Sequence, residues 1–209
     1  MIELSEAESK RRLGPHIARP AEIVTDEVEA AVRFVATETA GRVVAKASGV
    51  AHKTEDGLVR LGLDEAGVQA AFAELAAAGD GRVVVAEMVP TDVEMIVGGV
   101  RDAVFGPVVT VGAGGVAAEA APDVVAVLAP PEPGEVEAAL ATLRMAPVLR
   151  GWRGSAPLDQ GAFDALVEAV SAVFDDPEVV AVDVNPVSIV DGRPVVLDAL
   201  VVLDGGEAP

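Results

Sequence analysis

Three oxygen-bearing side chains, Asp183, Asn185 and Asp198, stand near the C-terminus in two Val-rich segments that flank Asp191-Gly192. Asp-Gly between two β-branched runs is the preferred sequence of a two-residue type I′ turn. Counting outward from that turn pairs Asn185 with Asp198, as a non-hydrogen-bonded pair with Cα atoms about 4.5 Å apart. Asp183 is predicted on the same face, two residues away. The spacing therefore predicts that two carboxylates and one amide oxygen converge on one patch.

Such a patch is repulsive unless a cation lies among the oxygens. Oxygen ligands favour Mg²⁺ or Mn²⁺ over zinc, and Mg²⁺ usually takes few protein ligands together with nucleotide phosphates. The alternative is that all three side chains simply face solvent on an acidic protein. Pro186 adds a constraint, because at this register it interrupts a hydrogen-bonded pair and favours a β-bulge.

A second group of candidate residues lies in the first third of the chain. Lys46 stands between two alanines in an apolar predicted strand, where a solvated lysine is less expected than on a helix surface. The loop from Ser48 to Gly57 follows it and carries His52 and Lys53. Backbone N–H groups and a lysine in such a loop can close over phosphates. The Gly-x-x-x-x-Gly-Lys pattern of a Walker A loop is absent, and a lone loop histidine is more often solvated than catalytic.

Both helices and strands are predicted to position these residues. Helices are predicted from Ser5 to Gly14, from Thr25 to Gly41 and at 64–78, 135–145 and 159–174. Strands are predicted at 42–47 and, after the loop, in a segment that ends at Leu63. Further strands are predicted at 82–89, 93–100 and 107–111, in addition to the terminal hairpin. The sum is a mixed α/β chain of the α+β class. We place the boundary of its two lobes near Thr91, which gives domains 1–90 and 91–209.

Composition limits the possible functions. The 209 residues carry a net charge of -19, which repels nucleic acid and anionic membranes, so neither is expected as a partner. The chain has no cysteine, which excludes thiolate catalysis, Cys-ligated zinc and disulfides. No apolar run of about 18 residues occurs and the first residues are acidic, so a cytoplasmic protein is predicted.

Taken in order, these segments resemble the ATP-grasp portion of ADP-forming acetate–CoA ligase and its acyl-CoA synthetase relatives. The ordered set covers nearly the whole chain, although no single piece is specific. The matching pieces are Ser5-Glu-Ala-Glu-Ser-Lys10, Val43-Val-Ala-Lys46, His52-Lys-Thr54 with Gly57, Glu87-Met-Val-Pro90, Val93-Glu-Met-Ile-Val97, Phe105-Gly-Pro-Val-Val109, Gly112 to Gly115 with Glu119, Leu128-Ala-Pro130, Gly151-Trp-Arg-Gly154, Asp183-Val-Asn-Pro186 and Leu197-Asp-Ala199.

The resemblance implies an ATP-grasp fold, in which two α+β lobes enclose a nucleotide cleft. It implies that Lys46 contacts the phosphates of ATP or ADP and that Lys53 belongs to the loop above them. Glu94 is similar to the acid expected near the ribose. The adenine edge is implied to meet the backbone of the hinge residues Glu87, Met88 and Val89.

The resemblance also implies reversible phosphoryl transfer, in which acyl-CoA, ADP and phosphate interconvert with a carboxylic acid, CoA and ATP. His52 matches a loop histidine that relays the phosphoryl group, and Asn185 and Asp198 match the Mg²⁺ ligands, with Asp183 nearby. The CoA-binding portion of such an enzyme lies outside these 209 residues. A CoA-binding α-type subunit in a hetero-oligomer is therefore implied as the partner.

Two other functions stay open on the sequence. One is a stand-alone ATP-grasp ligase that activates a carboxylate for another nucleophile. The other is a nucleotide-binding partner module without turnover, which is suggested by Val127 and Pro122 at positions where the family commonly has basic residues.

Overall fold

The computed structural model describes residues 1–39, 41–50, 57–91, 93–115 and 122–205. Helices and strands both contribute substantially, so the predicted mixed α and β class is confirmed. In chain order the elements are β1 (Ile2–Glu3), α1 (Glu6–Arg12), β2 (Glu22–Thr25), α2 (Val28–Glu38), β3 (Val43–Ala47), β4 (Val59–Leu63), α3 (Glu65–Ala78), β5 (Val83–Glu87), β6 (Val93–Asp102), β7 (Gly106–Ala113), β8 (Val124–Leu128), α4 (Glu135–Leu140), α5 (Ala146–Leu149), a 3₁₀ turn (Trp152–Gly154), α6 (Gln160–Val173), β9 (Val179–Val190), β10 (Arg193–Val196) and β11 (Leu200–Leu203).

The chain divides into two compact units. The N-terminal unit comprises Ser5–Ala7 and Pro20–Val89, and the C-terminal unit comprises Met1–Leu4, Glu8–Arg19 and Pro90–Pro209. Each unit contains one antiparallel sheet with helices packed on one face.

The N-terminal unit is built on a four-stranded sheet in the order β2-β5-β3-β4. Strand residues alternate between its two faces. Val43 and Ala45 of β3 therefore point to the same side and enter the core formed with α2 and α3. Helix α3 begins after Asp64, whose carboxylate accepts a hydrogen bond of 2.9 Å from the backbone N–H of Gly67. Val44, which lies between these two residues, and Lys46, which follows them, point to the opposite face.

The C-terminal unit is built on a seven-stranded sheet in the order β1-β11-β9-β6-β7-β8, with β10 also paired to β9. Val97, Val109 and Val182 point to one face and are buried in a core shared with α6. Gly99 points to the same side, where a Cβ atom would lie 2.7 Å from the ring of Phe174. This face is therefore closed by helix packing, and the neighbouring strand positions face the other way.

The terminal hairpin has the predicted register. Asp191 and Gly192 form its two-residue turn, both with positive φ, and Arg193 pairs with Val190. The β10 ladder ends at Val196, after which residues 197–199 are irregular. Pairing then resumes in β11, which lies along the same side of β9 as β10 does. The hairpin thus continues past the interruption without losing its register.

The predicted division into 1–90 and 91–209 differs from the structure at the N-terminus, because residues 1–4 and 8–19 pack with the C-terminal unit. Strand β1 pairs with β11, which would otherwise be an edge strand. Ser9 Oγ accepts a hydrogen bond of 3.0 Å from the backbone N–H of Val201, and Leu13 is buried in the same core. The start of the chain therefore pairs with β11 and covers its edge.

Other boundaries also differ from prediction. Residues 22–25 form β2 rather than leading into a helix, and α2 starts only at Val28. The predicted helix over 135–145 ends at Leu140, and turns separate it from α5. Strand β8 was not predicted, because its uncharged run lacks the polar alternation that marks a half-buried strand.

No helix in the described ranges is both long enough and apolar enough to cross a membrane.

Two glycines with a similar backbone conformation allow a test of how the hairpin turn packs. Gly192 has a φ of +82°, and a Cβ atom there would collide with the carbonyl oxygen of Pro157, whereas Gly134 has a similar φ of +81° in open space. We expect Gly192→Ala to lower the free energy of unfolding by about 1 kcal/mol or more beyond the loss in Gly134→Ala. Urea denaturation measures both variants, and equal losses would contradict this packing of the turn.

A second prediction concerns stability in acid. The Arg12 guanidinium donates a 2.6 Å hydrogen bond to Asp176, and together with the N–H of Glu178 it lowers the pKa of that carboxyl. A lowered folded-state pKa adds stability above the unfolded pKa of about 3.9, and this stability is lost as the pH falls through the folded pKa. Asp176→Asn should therefore lower Tm at neutral pH and flatten the decline of Tm below about pH 5. The exposed neighbour provides the control, since Asp175→Asn should leave the acid profile of Tm unchanged.

Candidate functional site

The candidate metal ligands lie on the interrupted part of the hairpin. The ladder pairs Val196 with Val187 on one side of the break and Leu200 with Asp183 on the other. Between them, continuation of the same register sets Asn185 opposite Asp198, within the segment that is not regularly paired. The Asp198 carboxylate accepts a 2.8 Å hydrogen bond from the N–H of Ala199, which holds it close to its own backbone. The register therefore places an amide on β9 and a carboxylate in the irregular segment at matching positions.

Pro186 causes the irregularity, in the way that the sequence predicted. Its carbonyl accepts a 3.1 Å hydrogen bond from the N–H of Leu197, but proline has no N–H to return. On the other side of β9, two residues, Asn185 and Pro186, stand opposite the single residue Ile96, which is a β-bulge. The peptide bond between Asn185 and Pro186 is cis. The pairing of β9 with both of its neighbours is therefore irregular where the candidate ligands lie.

Asp183 lies on the same exposed face as Asn185. It pairs with Gly98 of β6, which pairs in turn with Thr110 of β7. A Cβ atom on Gly98 would lie 3.2 Å from Thr110 Oγ1 and 3.9 Å from Asp183 Oδ1, so both polar groups extend over the glycine. Asp183 and Asn185 are exposed, whereas the intervening Val184 is buried in the core. The face opposite the helices is therefore polar at this point.

The oxygen set is small. Within the described ranges, no three His, Cys, Asp or Glu side chains come together in a way that could hold a metal ion. Two carboxylates and one amide fit Mg²⁺ bound with a nucleotide, since Mg²⁺ keeps waters and takes few protein ligands together with substrate phosphates. These residues would not fit zinc, which prefers nitrogen and sulfur ligands.

Lys46 points away from the helix-covered core of the N-terminal unit. It pairs with Val84 of β5 and Val59 of β4. Its Nζ atom lies 2.9 Å from Oε1 of Glu6, and the two side chains are only 9% and 3% exposed. Sequence reasoning missed Glu6. The available signal was the position of Lys46 in an apolar strand, because a buried ammonium requires an anionic partner.

The predicted hinge residues lie at the end of β5 and directly after it, and two of their N–H groups form hydrogen bonds. Glu87 N donates to the carbonyl of Ala21 at 2.9 Å, and Met88 N donates to the carbonyl of Arg42 at 3.0 Å. The Met88 side chain is 43% exposed. The backbone at Glu87 and Met88 is therefore held in place by neighbouring segments.

Glu94 lies where β6 meets the glycine-rich end of β7. Its carbonyl accepts a 2.9 Å hydrogen bond from Gly114 N, and its carboxylate lies against Gly115, where any Cβ atom would collide with it. Gly115 also has a φ of +73°. Gly114 and Gly115 therefore allow close packing around Glu94.

Two predicted site residues, His52 and Lys53, lie outside the described residues. Of the two positions where the sequence departs from the family pattern, Val127 is 5% exposed and faces the core, and Pro122 is exposed. Because position 127 faces the core, a basic side chain there would not reach the exposed face of the sheet.

The structure groups the remaining predicted residues by unit. Asp183, Asn185 and Asp198 share one region of the C-terminal unit, and Glu94 lies on β6 of the same sheet. The N-terminal unit holds Lys46 and the predicted hinge. Among the described residues, the candidate functional residues thus comprise a group of oxygen-bearing side chains in one unit and a buried, ion-paired lysine in the other.

These features can be compared with known proteins. The chain is 36% identical over 163 residues to acetate–CoA ligase [ADP-forming] I of Archaeoglobus fulgidus, which covers 74% of this chain and 24% of that protein. It is 31% identical over 122 residues to the acetate–CoA ligase [ADP-forming] I β subunit of Pyrococcus furiosus, covering 58% of this chain and 53% of that subunit. The matched regions therefore span about a quarter and about half of these relatives.

Solved structures agree with these relatives. A dinucleotide-forming acetyl-coenzyme A synthetase 1 of Ca. Korarchaeum cryptofilum, in complex with coenzyme A, Ca-AMPCP and HgCl⁺, superimposes with a TM-score of 0.85 at 31% identity. The match covers 96% of this chain and 93% of that one. A family model described as an ATP-grasp domain matches residues 3–203. The chain therefore belongs to the ATP-grasp domain family, in the group that contains the ADP-forming acetate–CoA ligases.

Proposed function

We propose that this chain is the nucleotide-binding, β-like part of an ADP-forming acyl-CoA synthetase. The observation that carries the proposal is the register of the hairpin, which is the same on both sides of the break and sets Asn185 and Asp198 at opposite positions, with Asp183 on the same strand as Asn185. This set of oxygens suits a magnesium–nucleotide, the ligand that the family relationship implies. The relatives support the enzyme class, since two of them are named as ADP-forming acetate–CoA ligases.

In this proposal each residue has a separate task. Asn185 and Asp198 hold Mg²⁺, or Mn²⁺, and Asp183 lies beside them on the exposed face. Lys46 donates from its ammonium to nucleotide phosphates, since a lysine acts as a point charge toward phosphate oxygens. Glu94 accepts from the ribose hydroxyls, and Lys53 supports the phosphates from its loop. The adenine edge meets the segment from Glu87 through Met88 to Val89.

The proposed reaction is reversible phosphoryl transfer. In the ATP-consuming direction, a ring nitrogen of His52 bonds to the terminal phosphorus of ATP as the bond to the departing ADP breaks. The phosphoryl group then moves from that nitrogen to a carboxylate oxygen of the acid, which frees His52 and forms an acyl-phosphate. CoA then displaces phosphate from this acyl-phosphate, so that acid, CoA and ATP become acyl-CoA, ADP and phosphate. A bound Mg²⁺ supplies neutralisation of phosphate charge, which with positioning makes up most of the catalysis of such transfers.

The proposal includes a partner chain that binds CoA. The chain spans about a quarter of the Archaeoglobus fulgidus ligase, and the Pyrococcus furiosus relative is named as a β subunit. One structure of the Korarchaeum relative holds coenzyme A and Mg-AMPPCP, with a phosphohistidine segment pointing towards the nucleotide-binding site. We propose the corresponding arrangement here, with an α-type subunit that supplies the CoA site.

A second candidate is a nucleotide-binding module without turnover. It is suggested by Val127 and Pro122, which stand at positions where the family commonly has basic residues. Transfer of labelled phosphate from ATP to the chain, measured with and without the CoA-binding subunit, separates the two. Label on His52 that is lost in His52→Asn supports the enzyme. Mg²⁺-dependent binding with no label in either mixture supports the module.

Calorimetry with ADP tests the metal–nucleotide site directly. The wild-type chain should bind ADP with Mg²⁺ present and lose that binding in EDTA. Asn185→Ala and Asp198→Ala should each weaken Mg²⁺-dependent binding by about tenfold or more, which corresponds to about 1.4 kcal/mol. Asp175→Asn, an exposed acid in the same unit, is the matched control and should bind normally. Wild-type affinity in both alanine variants would remove these residues from the site.

A further inference from the structure

A buried ion pair in the N-terminal unit joins two distant parts of the sequence. Lys46 Nζ and Glu6 Oε1 lie 2.9 Å apart, and the residues are separated by 40 positions. We infer that Glu6 is a positioning residue for nucleotide binding, which keeps the Lys46 ammonium charged and aimed before the phosphates arrive. This inference rests on the proposed role of Lys46 as a phosphate contact.

Burial is the first reason. A side chain that is 9% exposed has lost most of its water, and desolvation disfavours the charged form of a lysine. A neutral amine would contribute little to the binding of a phosphate. The Glu6 carboxylate, itself 3% exposed, supplies the opposite charge that favours the ammonium. The acid therefore maintains the charge that the proposed function uses.

Geometry is the second reason. An ammonium carries three N–H donors, so a hydrogen bond to Glu6 is compatible with additional bonds to phosphate oxygens. The flexible lysine stem would otherwise have to be ordered when the nucleotide binds, at a cost in affinity. Glu6 is the first residue of helix α1, so its carboxylate projects from a regular element. The pair thus orders the lysine in advance.

The opposite effect is also physically possible. A carboxylate beside Lys46 could neutralise its charge and weaken the attraction for phosphate, in which case removing Glu6 would tighten binding. The two effects have opposite signs, so the affinity of a Glu6 variant decides between them.

A double-mutant cycle with Mg²⁺ and ADP as the probe tests the inference. We expect Glu6→Gln to weaken Mg·ADP binding by about tenfold, Lys46→Met to weaken it at least as much, and the double variant to bind like Lys46→Met alone. Such non-additivity shows that Glu6 acts through Lys46. Glu3→Gln, an exposed acid on the same N-terminal segment, is the control and should bind like the wild type.

All titrations are made below the lowest Tm of the set, so that loss of folding does not count as loss of binding. If Glu6→Gln is too unstable to titrate, Glu6→Asp decides, because it keeps the charge but withdraws it from Nζ and should weaken binding less than Lys46→Met does. Unchanged or tighter binding in the Glu6 variant, or losses that simply add in the double variant, would overturn the inference. If the wild type itself does not bind Mg·ADP, the proposed function fails instead.

Discussion

The register of the terminal hairpin is the constraint on which the candidate metal site depends. A two-residue turn at Asp191-Gly192 sets the register of the two strands. The same register continues beyond the irregular segment 197–199 as far as Val202, which sets Asp198 at the position opposite Asn185. A slip of one residue would turn each of these side chains to the opposite face of the sheet. A local turn therefore controls chemistry that lies several residues away.

Pairing along β9 is irregular on both of its sides near Asn185. On the hairpin side Pro186 has no N–H to donate, and on the other side Asn185 and Pro186 form a bulge against β6. The candidate ligands therefore lie where the ladder is least regular. The distribution of charge is also uneven, because the chain carries a net charge of -19 yet buries Lys46 against Glu6.

The sequence was most informative where local rules decide the structure. Turn chemistry predicted the hairpin register, and Pro186 predicted the bulge. Long-range contacts were not predictable in this way. The pairing of β1 with β11 depends on an edge at the far end of the chain, and the partner of Lys46 lies 40 residues away. Strand β8 was missed because its run has no polar alternation. The roles of His52 and Lys53 stay predictions, since both fall outside the described residues.

If Asn185 and Asp198 together bind the divalent cation of a metal–nucleotide, a crystal of the chain grown with Mn²⁺ and ADP will show it. Anomalous data collected at the manganese edge locate the cation. We expect an anomalous peak coordinated by the Asn185 amide oxygen and an Asp198 carboxylate oxygen, with the diphosphate completing the coordination. A manganese–nucleotide bound elsewhere, with neither side chain among its ligands, would rule out this metal site.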